Sequence, residues 1–131
     1  MSELKMRRIL IVDDSPTMRR MVMTSLKTLD NVQFGEAGSG LEAIERLALA
    51  PVDLMILDLN MPEMHGVEVL QFVRSHKTYR VLPVVVLTTR GDEASRAQAM
   101  SAGATDYLTK PFQAGELLGR ASKILAAQKR A

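Results

Sequence analysis

The chain has 131 residues, 47% of them hydrophobic and 24% charged, which is enough for one globular core and too little for two. Without cysteine it has no disulfide scaffold, no thiol nucleophile and no cysteine-ligated zinc. Its net charge of +2 is scattered in short groups such as Arg7-Arg8, Arg19-Arg20 and Lys129-Arg130, and with five Phe and Tyr and no Trp it lacks the basic, aromatic patch of a nucleic-acid binder.

Apolar runs alternate with stretches of helical periodicity, the pattern of an α/β domain with a parallel sheet. The first run, residues 9–12, is far too short for a signal-peptide core and meets Asp13-Asp14 at once, so the protein is expected in the cytoplasm with no membrane partner. Ser15 is placed to cap a first helix with Pro16 at its first position and Met18, Met21, Val22, Leu26 and Leu29 along one face. A second strand, 32–37, leads to a helix over about 41–49 that stops before Pro51. A third strand, 53–57, precedes a helix starting near Gly66 with Leu70 and Val73 on its inward stripe. The fourth strand, 83–87, is followed by a helix over about 92–102 that offers only Ala94, Ala97, Met100 and other small residues, so it is expected to pack weakly. After a fifth strand, 105–108, the last helix carries Leu117, Leu118, Ala121, Ile124 and Leu125, and tolerates Gly119 at a cost of about 1 kcal/mol relative to alanine. The first, third and fourth strands are nearly all apolar, as strands buried on both faces are.

In an open α/β sheet, ligands bind outside the carboxyl ends of the strands. Strand one ends in Asp13-Asp14, strand three in Asp58, strand four in Thr88-Thr89, and strand five in Thr109-Lys110 before Pro111; strand two ends in the small residues Ala37 and Gly38. If strands one, three and four are neighbours, at about 4.8 Å between strands, their terminal side chains converge on a space about 10 Å wide. Three carboxylates sharing that space repel one another unless a cation intervenes, and an all-oxygen donor set suits magnesium or manganese. Singly, Asp13-Asp14 reads as an acidic helix start, Asp58 as a turn aspartate and Lys110 as a solvated lysine. Together, at the ends of separate strands, they point to one site. A carboxylate beside a metal can attack phosphorus, and phosphoryl transfer asks for an ammonium and a hydroxyl donor on the transferred group; Asp58, Lys110 and Thr88 form such a set.

Other motifs compete weakly. Gly38, Gly40 and Ala43 fit a dinucleotide-binding pattern but follow the second strand instead of the first. His65 and His76 fall in surface turns with no third ligand or serine partner. Of nine methionines, Met18, Met21 and Met55 lie at core spacings and not in a binding groove.

The strings ILIVDDSPTMRR at 9–20, DLNMPEMHG at 58–66 and GATDYLTKPF at 103–112, together with Thr88, make the chain resemble a response-regulator receiver domain of the CheY type over essentially its whole length. The resemblance implies a doubly wound, five-stranded parallel sheet of order 2-1-3-4-5 and a single receiver domain over 1–131, with its core at about 7–127 and no output domain. It implies phosphorylation of Asp58 by a sensor histidine kinase, with Mg2+ (or Mn2+) held by Asp14, Asp58 and the backbone carbonyl of Asn60, and by Asp13 through water. Thr88 would contact the phosphoryl group and shift with it, Lys110 would pair with it, Tyr107 would change rotamer, Asn60 and Arg90 would tune hydrolysis, and the Lys110-Pro111 bond would be cis. The expected protein is a monomeric signalling switch that catalyses only its own phosphorylation and dephosphorylation. It would be of chemotaxis type and bind a downstream protein through helix 4, strand 5 and helix 5, around Ala94, Ala97, Tyr107 and Lys123. A phosphorelay intermediate or phosphate sink is the nearest alternative. An aspartyl-phosphate phosphatase would resemble a D-x-D pattern and need length for a cap, and a flavin or nucleotide carrier would place Ser, Thr or Gly where Asp13-Asp14 stand.

Overall fold

Five parallel strands form one sheet in the order β2-β1-β3-β4-β5 in the computed structural model, which describes residues 6–61 and 66–128. The elements follow one another as β1 (Arg7–Val12), α1 (Pro16–Leu26), β2 (Val32–Ala37), α2 (Gly40–Leu49), β3 (Leu54–Asp58), α3 (Gly66–Ser75), β4 (Val84–Thr88), α4 (Glu93–Ser101), β5 (Asp106–Thr109) and α5 (Ala114–Ala127). The topology is the doubly wound one expected from the sequence. β1 begins two residues earlier than the apolar run suggests, and β3, β4 and β5 are shifted by one residue toward the polar positions that follow them. Asp58, Thr88 and Thr109 therefore belong to their strands, because the ladder hydrogen bonds continue past the last apolar side chain.

Strand alternation divides the core into two layers. Leu10, Val12, Met55, Leu57, Val84 and Val86 face Ala43 and Leu47 of α2, Val69, Leu70 and Val73 of α3, and Ala99 of α4. Ile9, Ile11, Leu54, Ile56, Val85 and Leu87 face Val22 and Leu26 of α1 and Leu117, Ala121 and Leu125 of α5. A strand covered on both faces cannot spare a polar side chain until it leaves the sandwich, which is why the polar residues gather at its carboxyl end. Among the described residues no helix is long and apolar enough to cross a membrane.

Two helix faces differ from the sequence expectation. Met21 is 49% exposed, while Met23 packs into the core layer. Both lie about 100° from Val22 around α1, and only the Met23 flank shares its cluster with α5. On α4 the expected Ala94, Ala97 and Met100 are exposed, and Ala99 is the buried position, with Ser95 and Ala102 half-buried on the same side. A helix of small residues shows too little apolar contrast for periodicity to mark its inner face.

Local chemistry sets the helix starts. Ser15 and Ser39 accept from the N–H groups of Met18 and Glu42, and Asp92 accepts from that of Ser95. Gly66 is required where α3 returns to β3, since a Cβ there would stand 2.6 Å from Leu59 Cα and 2.7 Å from the Asp58 carbonyl oxygen.

Candidate functional site

The register levels Val12 with Leu57, Asp58 with Leu87, and Thr88 with Thr109, so four strand ends open on one edge. Asp13 leaves β1 with its N–H donating to the Ala37 carbonyl at 3.0 Å, and its own Oδ1 accepts from Ser15 N–H at 2.9 Å. Asp58 closes β3 at 2% exposure, with Oδ1 accepting from Asn60 N–H at 3.0 Å. Asp14 stands exposed on the rim. Carboxylate oxygens of Asp13, Asp14 and Asp58 lie within 4.8 Å of one another.

Lys110 enters this group from β5. Its backbone N–H donates to the Thr88 carbonyl at 2.7 Å, and the peptide bond to Pro111 is cis. Its side chain, 11% exposed, places Nζ 2.9 Å from Asp13 Oδ2 and 3.1 Å from Asp58 Oδ1. Burial pushes the Asp58 carboxyl above the usual carboxylate range; the Asn60 N–H opposes this, the Asp13 charge adds to it, and Lys110 opposes it. Burial alone would lower the Lys110 ammonium, but the hydrogen bond to Asp13 and the charges of Asp58 and Asp13 outweigh it and hold the group above its ordinary value. Three carboxylates against one ammonium leave two negative charges in excess. Two of the acids are buried and the third faces water, and all the donors are oxygens, so the site suits a hard divalent cation that keeps part of its hydration.

A second set of contacts runs alongside. Thr88, 1% exposed, donates its hydroxyl to Asn60 Oδ1 at 3.1 Å and accepts from Arg90 N–H at 3.1 Å. The buried Tyr107 donates its hydroxyl to the Arg90 carbonyl. Arg90 itself turns outward to Asp92, Nε to Oδ1 at 3.3 Å, and does not reach the carboxylates. A cleft of about 440 Å³ opens next to Thr88, between Leu59 and Asn60, Val67 and Gln71 of α3, and Ser95 and Gln98 of α4. Of the residues expected on an output face, Ala94, Ala97 and Lys123 are exposed and Tyr107 is buried.

The remaining motifs take structural places. Gly38 N–H donates to Glu42 Oε1 at 2.6 Å and Glu42 N–H to Ser39 Oγ at 3.1 Å, so the turn that resembled a dinucleotide loop is a helix cap using its own donors. His76 stacks on Tyr79 with ring centroids 4.5 Å apart, and its Nδ1 accepts from Thr78 N–H at 3.1 Å. His65 lies outside the described residues.

Arg19 was given no role of its own in the sequence, only a place in a charge pair and in the string at 9–20. Its Nη1 donates to the Asp13 carbonyl at 2.7 Å and its Nε to Glu36 Oε1 at 2.9 Å, tying the acidic turn to β2. The available signal was its place one turn beyond Ser15, beside a strand that ends in Glu36-Ala37.

Residues 9–122 match the response regulator receiver domain family. The chain belongs to that family. It is 41% identical over 106 residues to the chemotaxis protein CheY1 of Helicobacter pylori, covering 80% of this chain and 86% of the relative. A chemotaxis protein CheY homolog of Campylobacter jejuni is also 41% identical, over 80% of this chain and 82% of its own length. The receiver fold matches the chemotaxis response regulator CheY4 of Vibrio cholerae with a TM-score of 0.84 at 33% identity, covering 92% of this chain and 99% of that one. The protein is thus a receiver of the CheY type, a module of phosphorylation-based two-component signalling.

Proposed function

We propose that this receiver is a switch driven by phosphorylation of Asp58, with a sensor histidine kinase as donor and a protein as target. The observation that carries the reading is Lys110 Nζ seated between Asp58 and Asp13, two buried carboxylates at the ends of separate strands. In the step itself, an Asp58 carboxylate oxygen forms a bond to phosphorus while the bond from phosphorus to the donor nitrogen breaks, and the imidazole of the kinase leaves. Lys110 offsets charge on the transferred oxygens, and the Thr88 hydroxyl donates to one of them. Asp14, Asp58 and the Asn60 carbonyl would hold Mg2+ or Mn2+, with Asp13 acting through water. When bound, the cation neutralises the approaching phosphate in a pocket that otherwise repels it. Asn60, two residues from the acceptor, and Arg90, once its side chain leaves Asp92, set the lifetime of the acyl phosphate.

The output face is α4, β5 and α5, around Ala94, Ala97, Tyr107 and Lys123. A helix with one fully buried side chain, Ala99, is the element most easily displaced. The relatives called chemotaxis proteins support a chemotaxis-type target. In this reading the receiver acts as a monomer in the cytoplasm. Labelling with a phosphoramidate or acyl phosphate, followed by intact-mass analysis, tests the proposal. The wild type gains one phosphoryl group in Mg2+ and none in chelator, and Asp58→Asn gains none; equal labelling of both proteins refutes it.

A further inference from the structure

We propose that the Asn60 carboxamide is the latch of the resting state: it holds the Thr88 hydroxyl, and through it Tyr107, and switching requires Thr88 to leave it. The inference rests on the phosphoryl-switch reading and adds the residue that opposes the switch. Three donors converge on Asn60 Oδ1: the Thr88 hydroxyl at 3.1 Å, the Thr89 N–H at 3.1 Å and the Thr89 hydroxyl at 3.5 Å. A backbone N–H can only donate, so the atom at their focus is the amide oxygen and not the nitrogen. Asn60 is anchored in turn by its own N–H on Asp58 Oδ1 at 3.0 Å.

The Thr88 hydroxyl has one hydrogen, and here Asn60 receives it. It cannot serve Asn60 and an oxyanion on Asp58 together. The hydroxyl oxygen also accepts from Arg90 N–H, and the Arg90 carbonyl accepts from Tyr107. One hydrogen-bonded path therefore runs from Asp58 through Asn60, Thr88 and Arg90 to Tyr107, and moving Thr88 disturbs each later link. At 1% exposure Thr88 is poorly placed to exchange Asn60 for water, so the Asn60 oxygen competes with the charge that would draw the hydroxyl away. Asn60 is a positioning residue in this role, because its side chain acts through Thr88.

Amide spectra of the unmodified protein, read against the shift that beryllofluoride with Mg2+ produces in wild type, test the latch. Asn60→Leu and Asn60→Ala both lack the acceptor, and either one that folds suffices. Resonances of Thr88, Thr89, Arg90 and Tyr107 are expected to move part of the way toward the beryllofluoride-bound positions before any ligand is added. The expected change in the switched-to-resting ratio is about two- to tenfold, the worth of one neutral hydrogen bond. Asn60→Asp keeps an acceptor oxygen at that point and is expected to stay at the resting positions. No displacement in the Leu and Ala variants, displacement away from the bound positions, or equal displacement in Asn60→Asp overturns the latch. If wild type itself fails to respond to beryllofluoride while remaining folded, the phosphoryl reading falls, and the latch with it.

Discussion

Asp58→Asn is expected to make the protein more stable at neutral pH in the absence of divalent ions. Asp58 Oδ1 accepts from Asn60 N–H and faces Lys110 Nζ, and an asparagine oxygen at that atom keeps both contacts. The new NH2 replaces Oδ2 and points a donor into a cluster of acids. Asp13, Asp14 and Asp58 against Lys110 carry a formal −2; the substitution reduces the sum to −1. Replacing buried charge by a neutral group of the same shape commonly stabilises a fold by about 1–4 kcal/mol, and we expect about 2 kcal/mol here. With an unfolding entropy of about 2.1 cal/mol/K per residue, or about 0.28 kcal/mol/K for 131 residues, that is a rise in Tm of about 7 °C. The pH dependence gives an independent check. The folded-state pKa of Asp58 lies above its ordinary 3.8, so ionisation penalises the fold at pH values above that raised pKa. As the pH falls through the folded-state pKa the folded protein takes up the proton first, and the penalty disappears by about pH 3.8. Thermal or urea unfolding of both proteins in chelator, at pH 7 and at pH 4, reads the difference. A variant less stable than wild type at pH 7, or a gain undiminished at pH 4, refutes the argument. Adding Mg2+ should narrow the gap, because a ligand that binds only the folded wild type stabilises it by RT ln(1 + [L]/Kd).

Lys110→Ala is expected to leave Asp58 open to labelling in Mg2+ while the phosphorylation-dependent change in target affinity, typically about 5- to 150-fold, falls below about twofold; calorimetry with the phosphorylated protein measures it, and a retained change refutes the role. Gly103 has a φ of +112°, and a Cβ there would stand 2.6 Å from Arg74 Cγ, so Gly103→Ala should cost about 1–3 kcal/mol in urea unfolding and loosen the Arg74 Nε bond to the Gly103 carbonyl. Beryllofluoride with Mg2+ should shift amides across α4, β5 and α5 as well as those at the carboxylates; changes confined to the carboxylates refute the output face.

The fold was readable because its signals are local. Fully apolar runs such as 84–87 have no stable place except inside a sheet covered on both sides, and Ser15-Pro16 or a glycine at 66 can be assigned a helix boundary from one turn of chain. The candidate site was readable for a related reason. In a parallel sheet the polar residues after each strand share one edge, so Asp13, Asp14, Asp58, Thr88 and Lys110 converge once β1, β3, β4 and β5 are neighbours, an order that the family resemblance implied and the structure shows. Strand ends were misread by one residue because hydrogen bonding outlasts apolarity at Asp58 and Thr88.

Sequence by itself determined the layered α/β architecture and which polar residues follow each strand, since both depend on residue type and short spacing. Tertiary structure decided which flank of α1 is covered, Met23 and not Met21, because that depends on α5, far along the chain. It also decided that α4 buries Ala99, since small side chains leave no periodic contrast to read. The grip of Arg19 on the Asp13 carbonyl, the turn of Arg90 toward Asp92, and the meeting of Thr88 with an asparagine 28 residues earlier are hydrogen bonds between groups with many alternative partners. Only packing, which removes those alternatives, selects among them.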